Sequence, residues 1–362
     1  MKKLIALTLM LATLLLFAGC KKENEKYPAV ESTEEEAQVM MSFRIGDESY
    51  KMKYELYRAL FLNLAAKYDG GDKSFWDTES SKEALEEINE KILEYTLDIF
   101  GVLHVAKSIG FDPYSNEAEE IIADYIKTSV EGNGDTIVGF GGDYDAYLDA
   151  LKKANMSYET HKLLLRHSIA YDKILAHYSG TANESNPTEN EAGALNFTRD
   201  DVLSFYNGDD SVRVSLITCY SLERAETLRS AILSTPDITD ALELAISMTT
   251  SIETEVLDGV VIGTHTLDEA YYSEVTKTAF DMELGSFSDI VSASTDNGKE
   301  YLILYKHEKT AGYFDSHYDA LVDVFVSQKI GEIIEEAKTS LRASLTESDA
   351  YKNLRHSSIS ME

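Results

Sequence analysis

The sequence predicts an α+β protein. Helical segments stand toward both ends of the chain, with a region of strands and helices between them. Three observations predict it. Apolar residues recur at helical spacing over residues 80–106, 116–129, 144–179 and 314–350. Further along, Val212, Val214 and Leu216 alternate with Arg213 and Ser215, the period of a half-buried strand. Ala225, Leu228 and Ile232 then repeat at helical spacing. Finally, a chain of 362 residues is long for one ordinary core and suits two domains.

Composition narrows the function. The formal net charge is −31 and is spread along the chain, so the surface is solvated and repels phosphate backbones; nucleic acid is excluded as a partner. Two cysteines, Cys20 and Cys219, make neither a disulfide framework nor a zinc site. No cofactor is expected. Cys219 follows the first strand of the inserted sheet and is expected as a buried structural thiol.

The chain opens MKKLIALTLMLATLLLFAGCKKENEK. Lys2 and Lys3 precede an apolar run over residues 4–18 that is too short to span a bilayer comfortably. It ends in Phe17-Ala18-Gly19-Cys20, which resembles a bacterial lipoprotein signal cut before a lipid-bearing cysteine. The resemblance implies a signal over 1–19, a lipidated Cys20 at the extracytoplasmic face of the cell membrane, and an acidic tether over 20–37.

The first domain is expected over 38–206. Residues 39–64 read strand, turn, strand and helix, with Gly46-Asp47 at the turn. Ala84, Ile88, Ile92, Tyr95 and Ile99 mark the helix that follows. GNGDTIVGFGGD is a loop; no strand precedes its glycines and no GK[ST] follows, so it is a poor phosphate cradle. Tyr144, Tyr147, Leu148 and Leu151 mark one face of a helix. Ser157 caps the next, along which Leu164, Ser168, Tyr171, Leu175 and Tyr178 form a row, with Lys162, Arg166 and His167 expected on its polar face. Asn183 to Gly193 is a linker by composition. Thr198-x-x-Asp201 has the form of a capping box for a short helix carrying Val202, Phe205 and Tyr206.

This order of parts resembles the helical region of SurA/PrsA-type extracytoplasmic foldases: a strand–turn–helix start, an aromatic-rich helix, a turn with Ser, a helix with Arg and Leu, then FTRDDVLSFY. The region that follows, 211–310, resembles a parvulin, a type of peptidyl-prolyl isomerase. Arg213-Val214-Ser215-Leu216-Ile217 is similar to the family's first strand, R-x-S-H-I-L. AFDMELGSFSDIV, with Ala279, Phe280, Met282, Gly285, Ser288 and Val291, is similar to A-F-x-L-x-x-G-x-x-S-x-x-V. KEYLILYK matches the closing strand. A last helical segment over 313–352, with Tyr318, Leu321, Val322, Phe325, Ile330, Ile333 and Ile334, is implied by the resemblance to pack back on the N-terminal domain, so that the parvulin-like region is an insert, a small antiparallel sheet with surrounding helices.

The departures from the family bear on function. Both family histidines are leucines, Leu216 and Leu302, and SMTTS, where the family has an Asp or Cys, has neither. Turning an X-Pro bond crosses a barrier of about 18–20 kcal/mol, and fixed polar groups that stabilise the twisted amide lower it. Two leucines supply packing and no dipole. The resemblance therefore implies a foldase that binds unfolded exported polypeptides, with Phe280, Met282 and Leu284 as candidate contacts. An active isomerase of the same build, and a solute-binding or scaffold lipoprotein, stand as alternatives. His265 matches no catalytic position and is expected on the surface. His307-Glu308 lacks the second histidine of HExxH, no metal is expected, and no Ser/His/Asp constellation is evident.

Overall fold

The computed structural model describes residues 27–133, 138–181, 191–248, 254–267, 269–295 and 298–361. Cys20 and the whole signal segment lie outside them. The chain divides into two compact units. One joins residues up to Ile174 with Ile333–Glu362; the other is contiguous from Leu175 to Glu332. Both mix helices with antiparallel strands, so the protein is α+β.

The first unit opens with the hairpin β1 (Val39–Ile45) and β2 (Glu48–Lys53), followed by α1 (Tyr54–Asp69), α2 (Ser81–Ser108), α3 (Asn116–Glu131), α4 (Tyr144–Lys153) and α5 (Tyr158–Ser179), of which the part to Ile174 belongs here. Alternation puts Met41 and Phe43 of β1 and Tyr50 and Met52 of β2 inside, where Phe100 of α2 meets both Phe43 and Tyr50. A second core joins Ile122 and Ile126 of α3, Tyr147 and Leu151 of α4, and Leu165 and Ile169 of α5. The end of the chain completes this unit. β9 (Thr346–Glu347) pairs with Met41 and Ser42, giving the sheet order β2-β1-β9. Residues 27–37, read from composition as tether, run along the same unit: Ser32 donates to the buried Glu55, and Arg58 donates to Glu36 at 2.6 Å.

α5 carries the expected cap but buries a different face from the expected one. Ser157 does cap it, accepting from the Thr160 N–H at 3.0 Å and donating to Glu55. The buried face, however, is Tyr158, His161, Leu165, Ile169 and Ile174, while the row through Leu164, Ser168, Tyr171, Leu175 and Tyr178 is only half-buried. Polar residues on the buried face, His161 and Arg166, disguised it.

The second unit holds a two-residue ribbon, β3 (Gly180–Thr181) with β4 (Glu191–Ala192), then α6 (Arg199–Asn207), whose Thr198–Asp201 capping box is formed as the sequence suggests. Next come β5 (Ser211–Cys219), α7 (Leu222–Ser234), α8 (Ile238–Met248), β6 (Thr254–Gly263), α9 (Glu269–Asp281), β7 (Val291–Thr295) and β8 (Gly298–His307). The strands form one antiparallel sheet in the order β6-β5-β8-β7. α10 (Ala311–Ser316) and α11 (Tyr318–Ala343) follow; the chain leaves this unit within α11, and the short α12 (Asp349–Lys352) comes after β9.

α11 meets the sheet unit through a clasp that depends on small residues. The buried Gln328 accepts from the His265 N–H at 2.9 Å and donates to Thr264 Oγ1 at 2.8 Å. A Cβ on Gly331 would stand 2.4 Å from the Cβ of His265. Helix propensity alone gives Gly331→Ala a gain of about 1 kcal/mol. The contact reverses the sign: the variant is expected to lose roughly 1–3 kcal/mol, read as a lowered thermal midpoint. A raised midpoint would refute the clasp. His265, expected on the surface, is half-buried here.

Candidate functional site

The sheet of the second unit has two unlike faces because β5 alternates. Val212, Val214 and Leu216 point to one, joined by Leu302 and Leu304 of β8 and covered by Tyr272, Val275 and Ala279 of α9. Leu216 stands opposite Leu304 in the ladder, and Leu302 opposite Thr218 on one side and Val291 on the other. Leu216 is 4% exposed and Leu302 2%. The structure thus brings together the two positions that the sequence marked, and it buries both in a close-packed aliphatic layer. Neither supplies a dipole or a proton. Of SMTTS, Ser247 and Met248 end α8, and residues 249–251 lie outside the described residues.

AFDMELGSFSDIV is the device that ties α9 to β8. Ala279 is small enough to be wholly buried against the sheet. Gly285 takes φ +71°, a left-handed conformation that suits glycine, and its N–H donates to Lys306 O at 2.9 Å. The Ser288 N–H donates to Leu304 O, and its hydroxyl accepts from the Leu304 N–H, both at 2.9 Å. Lys306 Nζ donates to the carbonyls of Phe280 and Met282, satisfying the end of the helix. Of the candidate contacts, Phe280 and Met282 are half-buried at the edge of the aliphatic layer, and Leu284 is 63% exposed beside them.

The other face carries two separate cores. Ile217, Cys219 and Ile303 pack under α7 and α8, and Val261 packs with α6, Phe314 of α10 and Leu321 and Phe325 of α11. Cys219 is fully buried and free, and burial pushes its thiol up, as expected of a structural cysteine. On the same face, Ser215, Asp258 and His307 meet. Ser215 donates to Asp258 Oδ1 at 2.6 Å and accepts from the Gly259 N–H at 3.1 Å; His307 Nε2 lies 2.6 Å from the same hydroxyl. With the hydroxyl proton on Asp258, His307 must donate, which fixes its Nε2–H tautomer. Burial, then the Arg213 charge, lowers the His307 pKa against the opposing pull of Asp258.

This cluster is not legible in the sequence, because it depends on the β5–β8 register and on the bulge at Gly259, where φ is +62°. It is not a catalytic triad. A triad carboxylate holds the imidazole nitrogen remote from the serine, whereas Asp258 lies 3.7 Å from the same nitrogen that faces Ser215. Ser215 is also wholly buried, with its donor and both acceptor positions used. The cluster pins the bulge.

In the first unit, α5 departs from expectation again. Arg166 is 7% exposed, not on a solvated face. One guanidinium nitrogen donates to Glu119, and the ring of Tyr114 lies 4.7 Å from its Cζ. His167 Nε2 lies 3.1 Å from Asp98, and Lys162 lies 3.1 Å from Glu119. Among the described residues, no group of three or more His, Cys, Asp or Glu is placed to hold a metal ion, and no helix is long and apolar enough to cross a membrane.

No family profile matches this chain, and no curated protein matches it. Solved structures do. The foldase protein PrsA from Streptococcus pneumoniae is 15% identical, with 78% of this chain and 93% of that one covered, at a TM-score of 0.30. The foldase protein PrsA from Lactococcus lactis is 10% identical, with 89% and 99% covered, at 0.24. PrsA from Bacillus subtilis is 17% identical, with 89% and 98% covered, at 0.22. Two of these three are named foldases, and all three match this chain along most of its length at low TM-scores.

Proposed function

We propose that this protein is a membrane-anchored extracytoplasmic chaperone. It binds unfolded exported polypeptides without ATP, through the helical domain over 38–206 and 313–352 and a parvulin-like domain over 211–310 in which isomerase activity is lacking or weak. The observation that carries the reading is the aliphatic layer under α9, where Leu216 and Leu302 fill both positions at which the resembled family has histidine. A centre without polar groups offers a twisted amide no stabilisation. What remains for a client is apolar contact at its edge, through Phe280, Met282 and the exposed Leu284. The strongly negative surface keeps such a protein soluble when it is empty. Anchoring rests on the sequence resemblance at Cys20.

The test uses the Cys20→Ser chain in two assays. Isomerisation of a short X-Pro peptide is expected to run at its spontaneous rate, while aggregation of a chemically unfolded client is suppressed in proportion to added protein. Accelerated isomerisation would make the protein an enzyme, and failure to suppress aggregation would remove the chaperone reading.

A further inference from the structure

A cleft of about 350 Å³ opens in the first unit between β2, α2 and α5, a volume in the range of small-ligand sites. Its walls are apolar where Tyr50, Leu56, Phe100 and Leu103 meet it, all of them buried. Its charge runs against the rest of the molecule. In a chain of net charge −31, the lining holds five cationic side chains, Lys51, Lys53, Lys107, Lys162 and Arg166, against three carboxylates, Glu48, Glu55 and Glu159. Three of the lysines already have partners: Lys53 with Glu55 at 3.6 Å, Lys107 with Glu48 at 2.7 Å and Lys162 with Glu119 at 3.1 Å.

Arg166 differs from them. It is nine-tenths buried, and one terminal nitrogen, Nη1, has no hydrogen-bond acceptor although the other is held by Glu119. A buried guanidinium N–H left without an acceptor is uncommon in folded proteins and marks a place for one. The ring of Tyr114, which also lines the cleft and is 55% exposed, lies 4.7 Å from the Cζ of this guanidinium.

We infer that this cleft binds a monocarboxylate carried on an aromatic or branched aliphatic body, with the carboxylate on Arg166 Nη1 and the body against Phe100 and Leu103. One buried unpartnered nitrogen suits a single negative charge; three of the four lining lysines already hold carboxylates, which leaves a phosphate dianion few free donors. The same chemistry occurs in a small organic acid and at the C-terminal end of a polypeptide with an apolar last residue. The inference does not rest on the chaperone reading, since the cleft and the aliphatic layer under α9 belong to different units.

The test titrates the full chain with N-acetyl-L-phenylalanine, its carboxamide and inorganic phosphate, followed by calorimetry and by the methyl resonances of Leu56, Leu103 and Leu163. The acid is expected to bind at least tenfold more tightly than the amide and to move those methyls, and phosphate is expected not to displace it. Arg166→Met and Leu163→Trp are both expected to abolish binding. The second fills the cleft from a half-buried position and leaves Arg166 in place, so the test survives if the first variant fails to fold. Equal binding of acid and amide, displacement by phosphate, no binding of the acid, or unchanged binding by folded Leu163→Trp would overturn the site. An octapeptide ending in a free phenylalanine carboxylate distinguishes the sources. Tighter binding than the small acid assigns the site to chain ends, and weaker binding assigns it to free acids; both support it.

Discussion

Replacing Leu216 and Leu302 together by histidine is expected to unfold the sheet unit and to create no isomerase. Each leucine is almost wholly buried beneath Val275 and Ala279. Losing a buried leucine forfeits about 1.5–3 kcal/mol, and a buried imidazole N–H without an acceptor costs about 1–3 kcal/mol more. The two changes together reach roughly 5–12 kcal/mol, which is comparable with the whole stability of a domain. The loss is expected to deepen as pH falls, because an imidazolium is harder to bury than an imidazole. Urea unfolding followed by far-UV circular dichroism reads the first effect and an X-Pro peptide assay the second. Leu216→Met, which keeps volume and polarity, is expected to cost under about 1.5 kcal/mol. A double variant that unfolds at the wild-type urea concentration would show that the layer under α9 has room for two imidazoles.

Acid is expected to destabilise the first unit well before its carboxylates titrate. His161 is 2% exposed, with Nδ1 2.5 Å from the Tyr147 hydroxyl, and burial draws its pKa down to about 4. His356 Nε2 lies 2.9 Å from the Tyr57 hydroxyl, which donates to Asn89, and burial draws it down to about 4 as well. A histidine whose folded pKa lies below its unfolded one, about 6.5, is bound by fewer protons in the folded state. Stability is therefore full above pH 6.5, falls as pH drops through the window from 6.5 to 4, and levels below it. For His161 the loss over that window is about 3 kcal/mol; His356 adds a smaller amount because it is partly exposed. Asp172, whose carboxyl burial pushes up, works in the opposite direction. Denaturation midpoints between pH 7.5 and 4.5 measure the slope, and His161→Gln is expected to flatten it. An unchanged slope in that variant would mean that His161 is not the group responsible.

Local chemistry was legible in the sequence and distant pairing was not. The Thr198 capping box, the Ser157 cap and the Gly46-Asp47 turn each depend on residues a few positions apart, and each stands where its spacing placed it. Leu216 and Leu302 were legible as a pair through a family pattern, and their burial agrees with the alternation of β5 and β8. The buried face of α5 was misread because His161 and Arg166 look like surface residues until Tyr147 and Glu119, far away in sequence, satisfy them. Ser215, Asp258 and His307 were invisible for the same reason, since a register and a bulge bring them together. β9 is two residues long and pairs with a strand near the other end of the chain; no window of sequence reports it.

That closing strand sets an order of completion during synthesis. The contiguous unit has all of its residues once the chain has been made as far as Glu332. The other unit begins first and finishes last, because the edge of β1 stays open until Thr346 and Glu347 arrive to cover it. An open strand edge is a template for pairing with other chains, and contacts between distant residues form slowly. Until Thr346 and Glu347 arrive, a growing chain of this protein therefore exposes the kind of unpaired edge that makes an unfinished protein prone to aggregate.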